Sequence, residues 1–177
     1  MQRILVTGGN SGIGLALCAQ LASEGAFVYL GARTLAKAEE AVASLPAALS
    51  GRLAPLVIDP GFDASVASAA ASLSGVQLYA IVNNAGTGLG HKTTGAEVLN
   101  VNAEGPKRVT EAFLPLLAPG GRVVNVGSGA ASSFVKTQPP EVQKLLCNPP
   151  DSWDPLAALL AEKKADEAFM KEPYPGP

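Results

Sequence analysis

The sequence is poor in charge. Asp, Glu, Lys and Arg together make up 16% of its 177 residues, against about 25% in an ordinary soluble domain. The net charge is −2 and no basic run occurs, which excludes the electrostatic footprint of a nucleic-acid binder. There are 2 cysteines, Cys18 and Cys147, without the spacing of a metal site. Both are expected as reduced thiols. No apolar run approaches the roughly 20 residues that span a bilayer. The first strand is expected to start almost at Met1, which leaves no room for a signal or transit peptide, so a cytoplasmic location is expected. What the chain does have is apolar residues, 47% of the total. That is the composition of a core-rich globular chain of one-domain length.

The stretch that organises it is Thr7-Gly8-Gly9-Asn10-Ser11-Gly12-Ile13-Gly14. An apolar run, Ile4-Leu5-Val6, leads in, and an apolar-periodic segment, Ile13, Leu17 and Leu21, leads out. The glycines therefore sit between a buried strand and a helix. Gly8 allows a sharp turn. Gly12 and Gly14 carry no side chain that would hold a pyrophosphate, or the packed strand, at a distance. The first N–H groups of the helix would face the phosphates, with the helix dipole favouring negative charge. A tight turn is the plainer explanation of a glycine cluster. Strand, glycines and helix in this order favour a dinucleotide site.

Further along, Phe27 to Leu30 reads as a second buried strand. Thr34 can cap a helix with Leu35, Ala38, Val42 and Leu45 on one face. Leu53 to Ile58 is a third strand, and its Pro55 asks for a sheet edge. Asp63 is expected to cap a helix carrying Val66, Ala70 and Leu73. Leu78 to Val82 is the fourth strand. A long helical stretch bears Val98, Val101, Val109, Ala112, Phe113 and Leu116, with Gly105-Pro106 expected to bend or break it. Val123 to Val126 is the fifth strand. Apolar strands alternating with helices predict an α/β doubly wound parallel sheet. Right-handed crossovers favour the Rossmann-like order 3-2-1-4-5, which puts Pro55 at an edge.

The second strand ends in Gly31-Ala32-Arg33. A cofactor with a free ribose 2′-hydroxyl usually meets Asp or Glu there. A guanidinium instead suits a 2′-phosphate, so NADP(H) is expected over NAD(H), although a solvated arginine would look the same. Ser11 argues the other way, since a second basic residue would strengthen the site.

The Thr-Gly-x-x-x-Gly-x-Gly form, followed by Asn83-Asn84-Ala85-Gly86 at the end of the fourth strand, resembles the short-chain dehydrogenase/reductase family. The resemblance implies roles for Gly8, Asn10, Ser11, Gly12, Ile13, Gly14, Arg33, Asp59, Asn84, Ala85 and Gly86 in binding the cofactor. Asp59 would face the adenine, or serve as a turn residue before Pro60. Asn84 would contact the ribose region, while Asn83 ties strands together. Asn102 would hold a water in a proton relay, or bond a helix bend. Ser128, after Gly121-Arg122-Val123-Val124-Asn125-Val126-Gly127, would hold a substrate carbonyl oxygen. Glu97 to Ser128 resembles the carbonyl reductase branch. That branch carries a helical insertion after the serine, which Pro139 to Cys147 and Ser152 to Met170 could supply. Ser152 or Asp154 would cap the second of these, with Pro155 in its first turn; a generic amphipathic helix reads the same way. Residues 1–132 would form the NADP-binding domain and 133–177 the insertion-like segment.

The family's Tyr-x-x-x-Lys has no counterpart. Tyr29 precedes Arg33, Tyr79 precedes Asn83, and Tyr174 precedes Pro175-Gly176-Pro177. The helix bearing that motif, the last two strands and the substrate loop are expected to be missing, as in a truncated family domain. Two functions follow. One is an NADP(H)-dependent carbonyl reductase or alcohol dehydrogenase, present as its cofactor-binding portion. The other is a non-catalytic nucleotide-binding or interaction protein. A methyltransferase explains neither the Asn-Asn-Ala-Gly run nor Ser128. Expected partners are a small carbonyl or alcohol substrate, and self-association or a partner strand at the open fifth-strand edge; neither a metal, nucleic acid nor a membrane is expected.

Overall fold

The computed structural model describes residues 1–88, 93–148 and 151–167. The elements run β1 (Arg3–Val6), α1 (Gly12–Ser23), β2 (Phe27–Ala32), α2 (Leu35–Ser44), a 3-10 turn (Ala47–Arg52), β3 (Leu53–Val57), α3 (Asp63–Ser72) and β4 (Leu78–Asn83). Next come α4 (Gly95–Val98), a π-turn (Leu99–Glu104), α5 (Gly105–Phe113), a short 3-10 turn (Leu114–Leu116) and β5 (Leu117–Asn125). The remaining helices are α6 (Ala130–Lys136), α7 (Pro140–Cys147) and α8 (Asp154–Ala165). All strand pairings are parallel, in the order β3-β2-β1-β4-β5. This is the expected Rossmann-like sheet. Its order reverses between β1 and β4, so the carboxyl ends of those two strands flank the crevice where such sheets bind ligands.

The chain forms two compact units. One joins Met1–Gly86 to Asn100–Val126 and holds the whole sheet; the other joins Thr87–Leu99 to the described residues after Val126. In the first, both faces of the inner strands β1, β2 and β4 are covered. Val6, Val28, Leu30 and Val82 pack against Cys18, Ala22, Ala38 and Ala41 of α1 and α2. Leu5 and Ile81 point the other way, onto Val66, Ala69, Val109 and Phe113 of α3 and α5. Strands buried on both faces read as unbroken apolar runs, because alternation is of no use to them.

The helices differ from expectation in detail. The inner line of α1 is Gly14, Cys18 and Ala22, while Ile13 is 74% exposed. Small residues let the helix approach the sheet closely, so the apolar periodicity of Ile13, Leu17 and Leu21 marks a flank. In α2, Ala38 and Ala41 are buried and Leu35 is exposed. Thr34 does cap it, accepting from the Lys37 N–H. Asp63 does not cap α3: Phe62 holds that position and Asp63 is the first helical residue, free to reach Arg108. β5 starts at Leu117, well before Val123, and its pairing with β4 slips between Leu78 and Ala80. Gly120, at φ 74°, absorbs that irregularity.

Burial pushes the Cys18 thiol from 9.0 up to about 12, whereas Cys147 is exposed. Thiolate is the reactive form. An aromatic disulfide at pH 8 should therefore modify Cys147 quickly and leave Cys18 untouched until the chain is denatured; two fast equivalents would contradict this. Because the folded pKa is raised, the stability it contributes is full below pH 9 and declines as pH rises toward 12.

In the second unit, Thr94 and Glu97 form a capping box on α4. The Thr94 backbone N–H and then its hydroxyl hold the Glu97 carboxyl below the usual range. Gln143 of α7 donates to the Gln138 carbonyl at 2.7 Å. A helix beginning at Ala130 was not expected. The expected helix 152–170 is α8, with Trp153 at the N-cap position but making no side-chain capping bond, and Asp154 and Pro155 in its first turn; the Ser152 hydroxyl accepts from the Asp154 N–H at 3.4 Å, and residues 168–170 lie outside the described residues. Among the described residues, no helix is long and apolar enough to cross a membrane, and no group of three or more His, Cys, Asp and Glu is placed to hold a metal ion.

Candidate functional site

The turn from β1 to α1 is built against the end of β4. Thr7 is buried, and its hydroxyl accepts from the backbone N–H of both Asn84 and Ala85, each at 3.1 Å. The Asn84 amide donates to the Thr7 and Gly8 carbonyls at 3.0 and 3.2 Å. Two signature stretches, far apart in sequence, are thereby fastened together. A Cβ on Gly8 would sit 2.9 Å from the Ala85 Cα. One on Gly14 would sit 2.2 Å from the Gly8 carbonyl oxygen and 2.5 Å from Asn84 Nδ2. These glycines serve the packing of strand, turn and helix.

Gly12 differs. Its φ is 53°, and a Cβ there would meet nothing within 4 Å. It opens α1, whose preceding Ser11 offers no side-chain cap. A 12-residue helix thus presents its first N–H groups on an open side, with a bare glycine and an exposed isoleucine beside them. Helix-end donors left open to solvent in this way can bond water or an anion, and a phosphate group suits them in charge.

The surrounding residues extend this site. Arg33 is exposed just past β2. A cleft of about 280 Å³ is lined by Asn10, Lys37, Glu40, Ala41 and Ser44. Lys37 was not picked out from the sequence, although its place four residues after Arg33, in the first turn of α2, was a signal. A lysine there runs against the helix dipole. At β3, Asp59 Oδ1 accepts from the Gly61 N–H at 2.9 Å, the bond of a turn residue. Asn102 lies in the π-turn, where its Oδ1 would be 3.5 Å from a Cβ on Gly86. The helical path is thus diverted before Gly105-Pro106, by an extra residue per turn, and α5 resumes at the glycine. Such turns recur at functional sites.

Asn83 ties elements together as expected. Its amide donates to Asn125 Oδ1 at 2.8 Å, Thr110 Oγ1 at 3.1 Å and the Pro106 carbonyl at 3.4 Å, joining β4, β5 and α5. Its Oδ1 is buried with no hydrogen-bond partner. Ser128 belongs to the second unit, where its hydroxyl accepts from the Ala130 N–H at 3.2 Å. The structure therefore gathers the glycine turn, Asn84, Ala85, Gly86 and Asn102 in one unit and places Ser128 in the other. His91 and Tyr174, the remaining titratable candidates in the sequence, lie outside the described residues.

A parallel sheet with a glycine turn at its switch point defines a Rossmann-like α/β protein. The sequence profile of the family described as short chain dehydrogenase matches residues 2–140. Carbonyl reductase [NADPH] 1 of Pongo abelii is 32% identical over 191 aligned positions, covering 99% of this chain and 67% of that protein. The short-chain dehydrogenase anuI of Penicillium roqueforti is 34% identical over 149, covering 77% of this chain and 59% of that one. Among solved structures, menthone neomenthol reductase from Mentha piperita superposes with a TM-score of 0.81 at 26% identity, covering 93% of this chain and 73% of its own. The chain belongs to the short-chain dehydrogenase family, and it spans about three-fifths of the length of the Penicillium relative.

Proposed function

We propose that the chain binds NADP(H) and is the cofactor-binding portion of a carbonyl reductase or alcohol dehydrogenase type of oxidoreductase. The observation that carries this reading is the uncapped start of α1 beside the open side of Gly12. The pyrophosphate would lie there, against Asn10, Ser11 and Ile13. Gly8 and Gly14 keep the turn in shape, and Asn84 holds it to Ala85 and Gly86. Arg33 would pair with a 2′-phosphate, and Lys37 supplies the second cation that Ser11 does not. Asp59 would border the adenine, Asn102 would hold a relay water, and Ser128 would hold the substrate oxygen. Bound, the nicotinamide supplies a hydride. The protein's own contribution is to fix its ring and exclude water. The name of the Pongo abelii relative, which specifies NADPH, supports the preference.

Arg33→Ala tests it. A hydrogen bond to a charged group contributes about 1.5–3 kcal/mol, so NADP(H) should bind roughly ten- to a hundredfold more weakly while NAD(H) is little changed. Calorimetric titration that found equal affinities for the two cofactors in the unmutated chain would end the proposal.

A second reading, a nucleotide-binding or interaction protein without catalysis, is favoured by one observation: no Tyr-x-x-x-Lys occurs in the 177 residues. Cofactor binding without turnover, with a partner captured through β5, would distinguish it.

A further inference from the structure

Arg108 of α5 grips two loops at once. Its Nε donates to Asp63 and one terminal nitrogen donates to the Pro60 carbonyl. The other terminal nitrogen donates to Asn100 Oδ1 at 3.1 Å. The Asn100 amide in turn donates to the Gly61 carbonyl at 2.9 Å, and the Gly61 N–H donates to Asp59. Gly105 allows the close approach this needs: a Cβ there would sit 3.0 Å from Pro60 Cβ. The planar guanidinium thus closes a ring that runs from the turn bearing Asp59, through Asn100, into the π-turn bearing Asn102. The Arg108 side chain is mostly buried, with 19% of its surface exposed, while Asp63 is open to solvent. The ion pair itself therefore adds little. What the arginine contributes is geometry, three donors in a fixed fork.

We propose that Arg108 is a positioning residue that locks the 59–63 turn to the π-turn, so that the placements of Asp59 and Asn102 are set together. The functional side of this rests on the NADP(H) reading above, which gives Asp59 to the adenine and Asn102 to the relay water. A ligand that steadies the Asp59 turn then steadies Asn102 as well, although it touches only the first.

The test is hydrogen exchange on the full 177-residue chain, without ligand and with adenosine 2′,5′-bisphosphate. Without ligand, Arg108→Met should speed exchange about tenfold or more in both 61–63 and 100–104, leaving β1, β2 and β4 unchanged. Arg108→Lys should restore less than half of the protection, because an ammonium cannot reproduce the fork; full rescue by lysine, or a response in only one of the segments, overturns the proposal. With the bisphosphate bound, the unmutated chain should gain protection at 100–104, and Arg108→Met should lose that gain while still binding the probe. Equal gains in both proteins overturn it too. If the bisphosphate fails to bind the unmutated chain, the NADP(H) reading falls, and the ligand-free comparison still decides the lock. If Arg108→Met does not fold, Asn100→Ala carries the same comparison, since it cuts the link and leaves Arg108 on Asp63 and Pro60.

Discussion

Gly14→Ala should leave little folded protein, whereas Gly12→Ala should fold and fail to bind. The two glycines stand two residues apart and differ in what surrounds them. A methyl group at Gly14 would overlap the Gly8 carbonyl at 2.2 Å and the Asn84 amide at 2.5 Å. Neither can retreat: one is backbone, and the other is fixed to Thr7 and Gly8. Overpacking usually costs about 1–3 kcal/mol; contact with backbone belongs at or above the top of that range. That is a large share of the roughly 5–15 kcal/mol that holds a domain together. At Gly12 the new methyl meets nothing, and only the left-handed φ is strained, at about 1–2 kcal/mol. Its effect falls on the open side, where a phosphate would have to approach. Urea unfolding and calorimetric titration of the two variants separate these outcomes. Similar stability losses in both would show that the turn yields more than its packing implies.

The second large expected effect is an absence of turnover. Reducing a carbonyl builds negative charge on its oxygen, which a positioned acid must neutralise. General acid catalysis contributes about 10²–10⁴-fold. In the family resemblance, that acid is the tyrosine of a Tyr-x-x-x-Lys motif which the 177 residues do not contain. Tyr174, followed by Pro-Gly-Pro, has no lysine four residues on, and His91 has no orienting partner evident in the sequence. We therefore expect the 177-residue chain to bind NADPH without consuming it in the presence of an activated dicarbonyl. Steady NADPH oxidation abolished by Ser128→Ala would refute this and require another acid.

The sheet was legible because its inner strands are covered on both faces, so that Ile4-Leu5-Val6 or Phe27 to Leu30 need no alternation to stand out. Pro55 added the edge. The inner face of α1 was less legible, because glycine, cysteine and alanine form it, and hydrophobic periodicity gives them little weight. The glycine turn and the Asn83 to Gly86 run could be paired by resemblance. That Asn84 serves Thr7 and Gly8 could not, since it depends on the approach of two strand ends. The Arg108 lock left no local trace, as its partners Pro60, Asp63 and Asn100 are remote in sequence or unremarkable in type. Lys37 leaves little trace either, because a lysine on a helix is usually a solvated one.

The two rims of the sheet are unlike, and this limits how copies of the chain could join. The Ile58 N–H donates inward to the Ala32 carbonyl. By alternation along the strand, the Pro55 nitrogen faces outward, on the free side of β3, where it has no hydrogen to offer. Lateral addition is blunted there. β5 carries Pro119 in its irregular first half, but no proline over Arg122–Asn125, where its register with β4 is regular. Its outer side is unpaired among the described residues, and Val123, Val124 and Val126 are 38%, 45% and 47% exposed. One competent rim and one blunted rim allow β5 to meet β5 about a two-fold axis, and such a union closes on itself. Growth into fibres would require both rims to be receptive. Association of the chain should therefore stop at the dimer, and sedimentation that revealed an open-ended series of larger species would show that Pro55 is no barrier.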